Sequence, residues 1–114
     1  MKILIVEDHP GMRDLMRSYL PAEFDEIHEC EDGADALSCY REHLPDWVLM
    51  DWKMKRMDGI TATRQIIAAY PQARIVIVTN HDDDKLRSAA IEAGAGGFVL
   101  KDNLLALGSL LEKS

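Results

Sequence analysis

An α/β fold with a single five-stranded parallel sheet and helices on both faces is what this 114-residue sequence predicts. Two observations carry the expectation. Short runs rich in Ile and Val recur along the chain, with a length and continuity that suit strands buried on both faces. Between them lie stretches whose apolar residues repeat at helical spacing, and strands alternating with helices argue for a parallel sheet with right-handed crossovers.

The first run covers residues 2–7 and contains Ile3, Leu4, Ile5 and Val6. Met12, Leu15, Met16, Tyr19 and Leu20 then follow the i, i+3, i+4, i+7, i+8 spacing of one helix face. Pro10 is tolerated in the first turn of that helix, and Pro21 closes it. Residues 26–31 form a weaker strand, in which Ile27 is flanked by polar side chains, as suits a sheet edge. Asp32-Gly33 introduces a second helix marked by Ala34, Leu37 and Tyr40, and Pro45 follows it. The third strand spans residues 46–51. Asp58-Gly59 opens a third helix carrying Ile60, Thr63, Ile67 and Tyr70. The fourth strand spans residues 73–79, and Leu86, Ala89, Ala90 and Ala93 mark a fourth helix ended by Gly94. The fifth strand spans residues 96–101. Leu104, Leu107 and Leu111 mark a last helix, weakened by Gly108, which costs about 1 kcal/mol relative to Ala in a helix interior.

The pattern is (βα)5, for which the common doubly wound, flavodoxin-like order is 2-1-3-4-5. Composition agrees with one globular domain over residues 1–114. Hydrophobic residues make up 47% of the chain and charged residues 29%, which excludes a disordered segment. No apolar run approaches the ~20 residues of a membrane span, and the opening turns acidic at Glu7-Asp8 before a signal peptide could form. A net charge of −7 makes the chain a poor direct binder of nucleic acid. Two cysteines, Cys30 and Cys39, supply no secreted-type disulfide framework, so the expectation is a reduced, cytoplasmic protein with inert thiols.

The strand order predicts where the chemistry lies, because ligands of such sheets sit beyond the carboxyl ends of the strands, beside the switch point between strands 1 and 3. Strand 1 ends in Glu7-Asp8, strand 3 in Asp51, strand 4 in Thr79 and strand 5 in Lys101. Any one of these is ordinary, since charged residues commonly end strands, but together they put three carboxylates in a small volume. Two like charges about 4 Å apart repel by about 4 kcal/mol at an effective dielectric of 20. Such a cluster raises a pKa or recruits a cation, and the natural recruit is Mg2+, a hard ion that takes carboxylate oxygens and bridges to phosphate. Lys101 adds a compact positive charge and Thr79 a hydroxyl donor. These are the parts needed to move a phosphoryl group onto or off an acidic side chain.

With these residues assembled, the whole chain resembles a receiver domain of a two-component response regulator. Asp51-Trp52-Lys53-Met54-Lys55-Arg56-Met57-Asp58-Gly59 resembles the phosphoacceptor motif, Glu7-Asp8 the metal-binding acids, Thr79 the switch hydroxyl and Lys101 the family's lysine. Phe98 stands where the family has its rotating aromatic. The resemblance implies that Asp51 accepts a phosphoryl group from a sensor histidine kinase or a phosphotransfer protein. It also implies that Mg2+ is held by Asp8, Asp51 and the carbonyl of Lys53, with Glu7 acting through water. Thr79 and Phe98 would then reshape the face of helix 4, strand 5 and helix 5, which is also a surface for homodimers. Such a domain catalyses its own phosphorylation and dephosphorylation and is not otherwise an enzyme.

Glu7-Asp8-His9-Pro10 and residues 94–102 are similar to receivers joined to helix-turn-helix DNA-binding domains, so control of transcription is implied; a stand-alone receiver is the alternative. Lys55 stands where most receivers have proline, and Asn80 where they prefer a small residue, while Lys53 and His81 occupy positions that tune dephosphorylation. These departures keep a phosphorylation-independent binding module in play. An aspartate-nucleophile phosphohydrolase would need an acid two residues after Asp51, where Lys53 stands. A flavin-binding module would need a hydroxyl- and glycine-rich loop, which His9-Pro10-Gly11 does not supply.

Several features have plainer readings. Lys53, Lys55 and Arg56 suit a solvated loop balancing nearby acids, and Asp82, Asp83 and Asp84 suit the cap of the fourth helix. Trp52 marks either a partner surface or a cover for the edge of the site.

Overall fold

The computed structural model describes residues 1–112. The last two residues of the expected domain, Lys113 and Ser114, lie outside the described residues. The chain alternates strand and helix: β1 (Lys2–Val6), α1 (Pro10–Ser18), β2 (Glu26–Cys30), α2 (Ala36–His43), β3 (Trp47–Asp51), α3 (Gly59–Ala69), β4 (Ile75–Thr79), α4 (Asp84–Glu92), β5 (Gly97–Leu100) and α5 (Ala106–Glu112). All neighbouring strands pair in parallel, in the order β2-β1-β3-β4-β5 expected from the alternation.

Alternating side chains divide the core into two layers, as the period-2 geometry of a strand requires. Leu4, Val6, Val48, Met50, Ile75 and Ile77 face α2, α3 and α4, where they meet Tyr40, Ile60, Ile66 and Leu86. Ile3, Ile5, Leu49, Val76, Val78 and Val99 face the other way, against Met16 of α1 and Leu104, Leu107 and Leu111 at the carboxyl end of the chain. Both faces of β1, β3 and β4 are therefore covered, which is why these runs are apolar at every position rather than at every second one.

Some boundaries move. Glu7 follows the end of β1 rather than ending it, Asp46 precedes β3, and Ala73 and Arg74 precede β4. A 3-10 turn, Lys101–Asn103, intervenes before α5, so that the last helix starts two residues after Leu104. The periodic face of α1 is also only partly buried. Met16 is fully enclosed, whereas Leu15 and Tyr19 are exposed, because a nine-residue helix on the sheet's edge offers the core a narrow stripe. No described helix is long and apolar enough to cross a membrane.

Candidate functional site

Register, more than sequence proximity, brings the polar strand ends together. Val6 pairs with Met50, so Glu7 comes level with Asp51. Asp51 pairs with Val78, so Thr79 lies one step beyond, and Thr79 pairs with Leu100, which sets Lys101 at the same rim. Four residues from four chain segments thus converge on a cleft of about 550 Å3, which Asp8, Lys53, Asn80 and His81 also line.

Three acids form the floor. One carboxylate oxygen from each of Glu7, Asp8 and Asp51 lies within 4.8 Å of the others. Glu7 is 1% exposed and Asp51 5% exposed, unusual values for charged groups that are paired with a single cation. That cation is Lys101, whose Nζ lies 2.8 Å from Glu7 Oε1 and 3.1 Å from Asp51 Oδ1. The first is an ion pair at close range without hydrogen-bond alignment. The other Glu7 oxygen accepts from the backbone N–H of His9 at 3.1 Å.

The electrostatics follow from burial. Desolvation pushes the Glu7 carboxyl above its ordinary range; Lys101 opposes the rise and the Asp51 charge adds to it. Asp51 is likewise raised by burial against the pull of Lys101. Burial works against the charge on Lys101, yet Glu7 and Asp51 outweigh it and hold its pKa up. Three acids against one ammonium leave a net negative, desolvated cup. Its donors are all hard oxygens, the chemistry that suits Mg2+, so the residues present fit that ion.

Around this floor, Thr79 is buried and its Oγ1 accepts from the His81 N–H at 3.2 Å. Trp52 packs on the core with its ring edge-on to His81 at 5.0 Å. The Lys53 ammonium lies 5.3 Å from the Trp52 ring centroid. Asn80 is exposed at the mouth of the cleft. Phe98 is half-buried, with the Arg87 guanidinium 4.5 Å from its ring centroid.

The plainer readings also resolve. Asp83 caps α4 through the Lys85 N–H at 2.8 Å, and Asp82 stands 3.7 Å from Arg87. Asp58 caps α3 by accepting from both the N–H and the hydroxyl of Thr61. Burial pushes the Cys30 thiol up to about 12, which keeps it protonated. Sequence reading passed over two residues that matter here. Arg87 had no signal, since its partner Phe98 is eleven positions away on another element. Asp32 was visible only as half of an Asp-Gly turn, yet it is 5% exposed and tied to the loop that follows Asp51.

Comparison with known proteins adds the following. A model of the response regulator receiver domain matches residues 3–111. The transcriptional regulatory protein DegU of Brevibacillus brevis is 32% identical over 104 residues, which cover 90% of this chain and 44% of that protein. The chemotaxis protein CheY of Bacillus subtilis is 41% identical over 101 residues, covering 88% of this chain and 84% of CheY. The crystal structure of a LuxR-family two-component response regulator from Aurantimonas sp. SI85-9A1 superimposes with a TM-score of 0.90 at 35% identity, covering 97% of this chain and 81% of that one. The chain therefore spans less than half of DegU and most of CheY.

Proposed function

This chain belongs to the response regulator receiver domain family, and on that premise we propose that it accepts a phosphoryl group on Asp51 from a sensor histidine kinase or phosphotransfer protein. The observation that carries the reading is the Asp51 carboxylate at the end of β3, 3.1 Å from Lys101 Nζ and grouped with two further acids at the open rim of the sheet.

An Asp51 oxygen attacks the phosphorus of a phosphohistidine. The phosphorus–nitrogen bond breaks, the imidazole leaves, and an acyl phosphate forms. The chain's own contribution is positioning and charge. Lys101 follows the developing charge on the transferred group, and Thr79 offers its hydroxyl to a phosphoryl oxygen. Asp8, Asp51 and the Lys53 carbonyl would hold Mg2+, with Glu7 supporting through water. When bound, the ion neutralises phosphoryl oxygens that the acidic cup would otherwise repel.

The signal leaves through Thr79 and Phe98 to the face of α4, β5 and α5. The phosphoryl group shifts the population toward one arrangement of that face by interacting better with it than with the other. Control of transcription through a joined DNA-binding domain is the output we favour, because DegU is a transcriptional regulator of which this chain spans 44%. A stand-alone role is the second reading, supported by coverage of 84% of CheY. On either reading the phosphoryl transfer is the domain's own and serves signalling, in the cytoplasm, where such kinases present phosphohistidine.

Intact-mass measurement after treatment with acetyl phosphate, with Mg2+ or with chelator, tests the core of this. One added phosphoryl group, dependent on Mg2+ and absent in Asp51→Asn, is the expected result. An unshifted mass with Mg2+ present, or a shift that survives Asp51→Asn, overturns it.

A further inference from the structure

Asp32, in the turn between β2 and α2, has no part in the chemistry above, yet it is as little exposed as Asp51. Its two oxygens accept three backbone N–H groups. Oδ1 takes Ala34 at 2.9 Å and Met57 at 3.1 Å, and Oδ2 takes Arg56 at 2.9 Å. Only the first of these is a local cap. The other two reach across to the loop that leaves Asp51 at the end of β3.

Trp52, Met54 and Met57 of that loop pack their side chains on the core, but its backbone is held at few points. At its neck the Gly59 N–H donates to the Trp52 carbonyl at 2.7 Å. Among the described residues, the N–H groups of residues 53–57 find partners only at Arg56 and Met57, and both partners are oxygens of Asp32. Lys55 leaves its own φ free to rotate, whereas a ring at that position would lock it. The two residues after Lys55 are the ones Asp32 grips. Gly33 lets the two backbones touch, since a Cβ there would stand 2.5 Å from the Met57 carbonyl oxygen. The Arg56 side chain adds a second tie, to the Asp35 carboxylate.

We propose that Asp32 is a positioning residue for phosphoryl acceptance: by gripping the Arg56 and Met57 amides it sets the loop that carries the Lys53 carbonyl and adjoins Asp51, and so sets the affinity of the acidic cup for Mg2+. The inference rests on the phosphoacceptor reading. Charge-assisted bonds to backbone amides are strong and short, which suits a clamp on a loop whose backbone is otherwise sparsely hydrogen-bonded. Residues that orient metal ligands commonly change metal affinity by about 10- to 100-fold when removed.

The test uses the whole chain and two variants. Asp32→Ser keeps a short acceptor for the Ala34 amide, and so the local cap, while losing reach to the loop. Asp32→Asn keeps one oxygen for Ala34 and Met57 but turns an amide donor toward the Arg56 N–H. Hydrogen exchange at the Arg56 and Met57 amides reads the clamp, and Mg2+ titration followed by tryptophan fluorescence reads the cup. Asp32→Ser should speed exchange at both amides and weaken Mg2+ binding about tenfold, with Asp32→Asn between it and the parent. Unchanged exchange at these amides, or faster exchange with Mg2+ affinity within about twofold of the parent, overturns the inference; if Asp32→Ser does not fold, Asp32→Asn decides by the same two readouts. A parent chain that takes no phosphoryl group overturns both this inference and the reading beneath it. A parent that is phosphorylated beside variants with unchanged Mg2+ affinity overturns this inference alone.

Discussion

Lys101 Nζ stands 2.8 Å from Oε1 of Glu7, so the lysine is shared between two buried carboxylates rather than reserved for Asp51. Glu7 reaches the site from β1 and Lys101 from β5, and their pairing closes the cup across β3 and β4. Removing the ammonium leaves both acids desolvated without a counter-charge. Breaking a buried pair in this way costs about 3–5 kcal/mol. Lys101→Ala should therefore lower the melting temperature in the absence of divalent cation, and Mg2+ should restore more stability to the variant than it adds to the parent. Thermal denaturation of the two proteins with and without Mg2+ checks this, and equal melting temperatures would count against it.

The pH dependence of stability carries a sign fixed by the same burial. Glu7 and Asp51 are both held above their ordinary values of 4.5 and 3.8, burial being the main cause in each. The folded chain thus binds protons before the unfolded chain does. The site's contribution is most favourable below the ordinary values and is lost as pH rises through the raised ones. Asp51→Asn removes one charge from the cup, so without divalent cation it should exceed the parent in stability by about 1–2 kcal/mol near pH 7, a fraction of the ~4 kcal/mol that two close charges repel. The advantage should shrink on acidification toward the ordinary values, as urea unfolding across that range would show.

Gly59 opens α3 directly behind Asp51. A Cβ at this position would fall inside the contact distance of the Asp51 carbonyl oxygen and within 2.8 Å of the Met50 side chain. The obstacle is backbone in the middle of the sheet, which cannot swing aside. Gly59→Ala should destabilise the fold by about 1–3 kcal/mol, the usual range for overpacking a core, and by more than an alanine at Gly11, which meets no atom within 4 Å. Paired denaturation curves for the two variants decide the point.

Arg87 caps the ring of Phe98 at 4.5 Å and stands 3.7 Å from Asp82, so α4 latches the aromatic of β5 from outside. An exposed cation–π contact contributes about 0.5–1 kcal/mol, or about two- to fivefold in a conformational equilibrium. On the switch proposed above, Arg87→Ala should therefore shift Phe98 toward an inward position in the unphosphorylated chain. Fluorine NMR of fluorophenylalanine-labelled protein reads this cleanly, because the only other phenylalanine, Phe24, is buried and serves as a reference. A Phe98 resonance that does not move in the variant would exclude the latch.

Acid should loosen the turn at Asp32. Burial alone would raise its carboxyl, but the three N–H donors of Ala34, Arg56 and Met57 outweigh that and hold it below its ordinary value of 3.8. A depressed carboxyl contributes stability that is present above 3.8 and is lost as pH falls through its lower folded value. The protection of the Arg56 and Met57 amides relative to their intrinsic exchange rates should therefore fall at strongly acidic pH, and a fall already complete near neutrality would contradict the sign.

The local chemistry of the chain was sufficient for much of this. Fully apolar runs such as Val48-Leu49-Met50 and Ile75-Val76-Ile77-Val78 can be satisfied only between two helical layers, and alternation with helices then leaves few topologies. The strand order follows, and with it the rim on which Glu7, Asp8, Asp51, Thr79 and Lys101 meet. The cap of α4 by Asp83 and the start of α3 at Asp58-Gly59 were legible for the same reason, since both are set by near neighbours in sequence. What depends on which side chain reaches which distant partner was not legible. Periodicity assigned Leu15 and Tyr19 to a buried face, but how wide a stripe α1 buries is decided by the sheet edge beneath it. The sharing of Lys101 by two acids, the hold of Asp32 on a loop twenty-four residues away and the latch of Arg87 on Phe98 each join separate elements. Such contacts arise from strand register and loop packing, which are properties of the assembled sheet and leave no periodic trace along the chain.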